Sequence, residues 1–228
     1  MKLSNRRRES GRVLRRVLPW LAAGVILVYL LRYDIDLMRL RYVLIADEPK
    51  GMLRQVIGSF REFGQAMVAI VAMCIVATFD RRREAFIAAL LLAEALAAGG
   101  YNAGKFTIAR YRPSAAIDLR STDDGASRLT ILKGMQPGNS WVGWSPWNKD
   151  SKRQSFPSGH TGAAVVLAVT LSAFHPRLRW LLWPLAIGCG LSRYLDAVHW
   201  LSDCWTGGLI GYAAARVSLM ICGPPRRA

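Results

Sequence analysis

An all-α integral membrane bundle of six transmembrane helices is the fold this sequence predicts, on three observations. Hydrophobic residues make up 52% of the 228, yet the formal net charge is +16. The charge sits in short clusters between long apolar runs, whereas a soluble basic protein would spread it along helical faces. Those basic clusters also alternate along the chain in a way that fits six threaded helices.

The first element is an apolar stretch at 17–31, preceded by Arg6, Arg7, Arg8, Arg12, Arg15 and Arg16. This order imitates a secretory signal. Arg32-Tyr33-Asp34 follows with no small-x-small cleavage site. The stretch therefore reads as a retained signal anchor, the first membrane helix (13–31), behind a basic cytoplasmic segment, 1–16. Five further apolar segments lie at roughly 64–79, 85–104, 160–174, 178–194 and 203–221. Several are shorter than the ~20 residues needed to cross hydrocarbon, so flanking turns must complete them. No Gly/Ser- or Pro-rich linker and no repeat divides the chain, which reads as a single domain over 1–228. The N-terminal arginines, Arg81-Arg82-Arg83, Arg177 with Arg179, and Arg226-Arg227 share one side if six helices run between them. By the positive-inside rule that side is the cytoplasm, with both termini. Loops 32–63, 105–159 and 192–202 then face outside.

Burying the apolar runs leaves no basic face for nucleic acid, so nucleic acid is not an expected partner. Cys74, Cys189, Cys204 and Cys222 lie within or beside apolar runs without a CxxC pair. Neither a disulfide nor a metal site is predicted from them.

Two outer segments have their own character. In 50–63, Met52, Leu53, Val56, Ile57, Phe60 and Phe63 recur at helical spacing. An amphipathic helix in the headgroup layer and a plain extension of the second membrane helix both fit. The loop 114–155 is polar and carries Trp141, Trp144 and Trp147, with Gly143 and Pro146 arguing against helix there. Tryptophans on an outer loop anchor it at the interface or contribute to lipid recognition.

Three short stretches carry the chemistry, each at an outer membrane boundary. In 105–113, Lys105 and Arg112 are seven apart and share a face if the segment is helical, with Pro113 ending the element. Two such cations could simply snorkel to headgroups. In 155–161, Pro157 and Ser158 suit a helix start, whose free N–H groups and positive dipole end bind phosphate. Gly159 lets that backbone approach an anion, and His160 projects beside it. The bland alternative is a capped membrane helix with an idle histidine. In 192–203, His199 and Asp203 are four apart, on one face if helical. A carboxylate bonded to one imidazole nitrogen fixes the tautomer and improves the other as a nucleophile. Arg193, just before, has a planar fork that matches phosphate oxygens. His and Asp at this spacing also ligate metals, but a third ligand is missing, since His175 falls in a cytoplasmic loop.

KxxxxxxRP, PSGH and SRxxxxxHxxxD, in this order on a six-helix chain, closely resemble the type-2 phosphatidic acid phosphatase (lipid phosphate phosphatase) superfamily, which is related to bacterial acid phosphatases and vanadium haloperoxidases. Lys105, Arg112, Pro113, Pro157, Ser158, Gly159, His160, Ser192, Arg193, His199 and Asp203 fill every signature position. The resemblance implies an all-α core of the acid phosphatase/vanadium haloperoxidase kind. It implies that His199 attacks phosphorus and becomes phosphohistidine, that Asp203 holds the imidazole, and that His160 protonates the departing alkoxide and then helps activate water. Lys105, Arg112, Ser158, Gly159 and Arg193 would bind phosphate. Three fixed cations can supply positioning and charge stabilisation, so no metal and no cofactor is expected.

The expected partners are membrane lipids and a lipid phosphate substrate. Phosphatidic acid, phosphatidylglycerol phosphate, a polyprenyl phosphate or diphosphate and a lipid A phosphate all fit a site at the outer membrane boundary. A bacterial inner membrane, with the site facing the periplasm or exterior, is the expected location; the sequence carries no signal for oligomeric state. A lipid-to-lipid phosphotransferase would use the same site. A non-catalytic lipid-binding relative would be expected to lose a motif histidine, and a transporter would give no reason for the PSGH and HxxxD pattern.

Overall fold

In the computed structural model the described residues are 2–45, 50–118 and 128–223. Arg226-Arg227, the centre of the 114–155 loop and the side chains of the N-terminal arginines lie outside them, and so do the expectations attached to those positions.

The six expected apolar segments fall on six helices. These are α1 (Lys2–Ile45), α3 (Ala66–Phe79), α4 (Arg83–Thr107), α7 (Gly159–Phe174), α8 (Arg179–Leu195) and α9 (Leu201–Cys222). Three shorter helices complete the set: α2 (Gly51–Glu62), α5 (Pro113–Asp118) and α6 (Arg128–Gly134). The fold is all-α in character, and the six helices differ in length and apolar character. Among the described residues, α4 alone is long and apolar enough to span a membrane, and α2 with α3 qualifies as a bent pair. For α7 the reason is length, since its 16 residues rise only about 24 Å.

Helix α7 packs between α4, α8 and α9, with α3 against α4 and α2 against α8. Their shared core includes Phe86, Leu90, Val166, Leu167 and Phe174, all buried, with Phe86 and Phe174 edge to face at 5.4 Å. The α7–α9 crossing is close because Gly207 and Gly211 of α9 oppose Ser158 and Gly162 of α7. A Cβ on Gly207 would lie 2.1 Å from the Ser158 carbonyl oxygen, and one on Gly211 would lie 2.2 Å from that of Gly162. A second, smaller core joins Ile35, Met38 and Tyr42 of α1 to Ile117, Leu132 and Trp200.

Helix α2 is separate, bent 57° from α3, rather than a plain extension of it. It buries Ile57 and leaves Met52, Leu53 and Val56 exposed. The 114–155 loop is anchored by a two-stranded antiparallel sheet, β1 (Ile108–Arg110) with β2 (Trp141–Trp144). Trp144 and Trp147 are exposed on it, while Trp141 turns inward against Phe156.

Two of the four basic connections expected on one side, that of Arg81-Arg82-Arg83 and that of Arg177 with Arg179, come together. Arg82 donates to the Phe174 carbonyl at 2.9 Å, and His175 Nε2 lies 3.2 Å from Asp80. This is the end opposite the motif residues, so His175 plays no part in their site.

Candidate active site

The second motif forms as its sequence suggests. Ser158 is the N-cap of α7, Gly159 its first residue and His160 its second. The N-terminal N–H groups of the helix therefore open toward the motif residues. Lys105, at the C-terminal end of α4, comes from the side: a Cβ on Gly159 would sit 3.5 Å from its Nζ. Gly159 is thus where an ammonium and a helix N-terminus converge.

The other two motifs are not helical where spacing suggested. Helix α4 stops at Thr107, and residues 108–110 join β1 because β-branched Ile108 pairs with Trp144. Lys105 and Arg112 consequently reach the site from a helix and from the chain beyond a strand, not from one helical face. Pro113 begins α5 rather than ending an element, in keeping with its fixed φ at a first helical position. Helix α8 likewise ends at Leu195, and His199 sits in the turn before α9. Asp203 lies in the first turn of α9, where its carboxylate accepts from the Trp200 N–H at 3.0 Å.

The turn still brings His199 to Asp203, by a different contact from the one expected. Nδ1 of His199 is 2.7 Å from the Ser155 carbonyl oxygen and 3.8 Å from Asp203 Oδ2. A carbonyl can only accept, so Nδ1 carries the proton and the Nε2 lone pair is free. Asp203 acts on the ring as a nearby charge rather than by a direct hydrogen bond. Its Oδ2 instead accepts from Ser155 Oγ at 2.6 Å, so Ser155 grips both members of the pair. Burial pushes the His199 imidazolium below the ordinary histidine range; Asp203 opposes the shift, and Arg193 and Arg112 reinforce it. A backbone bond from Ser158 N–H to the Asp203 carbonyl, 3.0 Å, ties the second motif to the third.

The structure brings all eight predicted site residues to one end of the bundle. His160 lies within electrostatic reach of Arg193, His199 and Lys105, and Arg193 within reach of Arg112. Burial lowers the Arg112 guanidinium from its usual range, with Asp203 opposing. Nε of Arg112 and Nε of Arg193 are buried without a hydrogen-bond partner. Unmatched cationic donors of this kind suit an anion with several acceptor oxygens. Among the described residues, no three His, Cys, Asp or Glu side chains are grouped to hold a metal ion.

A cavity of about 430 Å³ is lined by Lys105, Gly159 and His160 at its polar end and by Met73, Leu91 and Leu167 farther down. A larger one, about 510 Å³, lies between α1, α7, α8 and α9 and is almost wholly apolar. None of the charged motif residues lines it, whereas Lys105 and His160 line the smaller cavity.

Two residues at the site escaped the sequence reading. Arg110, 1% exposed, bridges Asp34 of α1 at 2.7 Å and Asp203 at 2.5 Å. The available signal was Asp34 itself, a carboxylate just beyond an apolar run, since such ionisable groups are seldom idle.

The family model of the PAP2 superfamily matches residues 85–224. No curated protein matches the sequence. The crystal structure of Aquifex aeolicus LpxE matches with a TM-score of 0.53 and 23% identity, over 81% of this chain and 93% of that one. At that identity the likeness is one of fold.

Proposed function

The chain belongs to the PAP2 superfamily, and from that premise we propose that it is a membrane lipid phosphatase working through a phosphohistidine on His199. The observation that carries the reading is the state of His199: Nδ1 is held by the Ser155 carbonyl, which leaves Nε2 free beside a ring of cations. In the first step Nε2 attacks phosphorus in line, the Nε2–P bond forms and the P–O bond to the lipid breaks. His160, protonated beside the bound phosphate anion, gives its proton to the departing alkoxide. In the second step His160 takes a proton from water, water attacks phosphorus, and phosphate leaves as Nε2 is regenerated. Lys105, Arg112 and Arg193, with Ser158 and the Gly159 N–H, hold the non-bridging oxygens as charge redistributes. Asp203 stabilises the positive ring that forms when Nε2 is phosphorylated.

Two features support a lipid as the substrate. The cavity runs from Lys105 and His160 into largely apolar surface, which fits a phosphate attached to a hydrocarbon chain. The bundle also exposes large apolar side chains on several helices, among them Val25 and Val28, Ile70 and Ile75, Ile187, and Met220 and Ile221. Such a surface suits contact with acyl chains. The alternation of basic clusters in the sequence supports a bilayer crossed by six segments, with the site on the periplasmic or exterior side. Phosphatidic acid, phosphatidylglycerol phosphate, polyprenyl phosphates and lipid A phosphates are the substrate classes proposed.

The test is to incubate detergent-purified protein with a panel of these lipids and measure released phosphate beside a His199→Ala control. Release from at least one lipid by wild type, falling several orders of magnitude in a variant that remains folded, is expected. Near-wild-type release by His199→Ala refutes the assignment.

A further inference from the structure

We propose that Asp34 of α1 is a positioning residue for phosphoryl transfer, acting through Arg110 and Asp203 on His199; this rests on His199 being the nucleophile. The geometry around Arg110 is over-determined. Its Nη1 donates to Asp203 Oδ1 at 2.5 Å and to Ser202 Oγ at 2.7 Å, its Nη2 to Asp34 Oδ2 at 2.7 Å, and its Nε to Ser140 Oγ at 3.3 Å. The guanidinium also lies 4.3 Å from the Trp141 ring centroid and 5.2 Å from that of Trp200. Asp34 is 3% exposed and accepts in addition from the Ser202 backbone N–H, 3.1 Å, and the Ser202 hydroxyl.

The charge count gives this arrangement a catalytic reason. Arg110 facing Asp203 alone would cancel the carboxylate that His199 needs when its ring becomes a phosphorylated imidazolium. A second carboxylate shares the guanidinium and leaves the buried group one negative charge in excess, behind the nucleophile. In a poorly polarisable interior that excess acts over several ångströms. A buried triad of this kind adds little to stability compared with a well-packed apolar replacement, so stability alone does not account for it. Helix α1 precedes the family-matched region, 85–224, yet on this reading it contributes to the active site.

The variant to make is Asp34→Asn, which keeps the shape and leaves Arg110 its bond to Asp203. On a lipid phosphate that wild type hydrolyses, kcat should fall about 10–100-fold with KM changed less than about twofold, the pattern of an interaction made in the transition state. The acid limb of kcat/KM should move down by roughly half a pH unit or more, because loss of an anion disfavours the imidazolium. The other charged groups around His199 are Asp203 of α9, Arg193 of α8, Arg112 beyond β1 and His160 of α7. All are retained in the variant, so the shift reports Asp34. Asp34→Glu should recover part of kcat.

Wild-type kcat and an unmoved limb in folded Asp34→Asn overturn the proposal, as does reduced stability with both parameters unchanged per folded molecule. If Asp34→Asn does not fold, Ser202→Ala carries the test, with a smaller shift in the same direction expected and no shift contradicting it. His199→Ala, run alongside, separates the two levels: if it stays active, the nucleophile assignment has failed rather than the role of Asp34.

Discussion

With Nδ1 committed to the Ser155 carbonyl, His199 can react only through Nε2, and only while that nitrogen is unprotonated. Burial, Arg193 and Arg112 lower its pKa, and Asp203 only partly offsets them. The sign follows directly: the neutral, reactive ring should persist as pH falls through the ordinary value of about 6.5 and be lost below it. A profile of kcat/KM against pH, corrected for the substrate's own phosphate ionisation near about 6, should therefore show an acid limb below 6.5. A limb at or above that value contradicts the assignment. Residues of this kind were legible in the sequence because histidines at fixed offsets from Pro, Ser, Gly and Asp are unusual in a membrane-like chain. Arg110 was not, since it sits between motif cations and its partner Asp34 is remote in sequence. Only the fold brings that carboxylate to it.

At the scale of the element, the motifs work because backbones come close. Gly207 lets α9 press against the Ser158 carbonyl at the start of α7, and the Ser158 N–H in turn bonds to the carbonyl of Asp203. Gly207→Ala should force these two helix starts apart, lowering Tm in detergent and cutting kcat about tenfold or more, since an ångström of misplacement is costly to an in-line attack. Gly208→Ala is the control. Its Cβ would meet only side-chain atoms of Val165 and Thr161, at 3.7 and 3.9 Å, and both quantities should hold. A wild-type Gly207→Ala shows that the close crossing is not what sets the site. Periodicity located the helices, but the helical faces it offered for Lys105 with Arg112 and for His199 with Asp203 did not form, because strand pairing with Trp141–Trp144 and a turn with Ala197 at φ 53° take over. Both departures depend on partners distant in sequence, which spacing does not reveal.

Across the whole molecule, the chain gathers charge at one end of an apolar bundle and leaves the other end to Asp80, Arg82 and His175. Hydropathy found all six apolar helices, because long runs without charge are distinctive. Their character differs, since α7 and α3 are short, and Arg193 near the end of α8 and Asp203 near the start of α9 place charge at the motif end. In the proposed function the polar end holds phosphate, the apolar flanks face a lipid, and the reaction passes through a covalent step at one histidine. Rapid acid-free quenching of enzyme turning over a lipid labelled in its phosphate tests that step most directly. The label should appear on protein as an alkali-stable, acid-labile adduct, map to the peptide bearing His199, and vanish in His199→Ala. Turnover by wild type with no such adduct under any quench time, or with label on another residue, would contradict it.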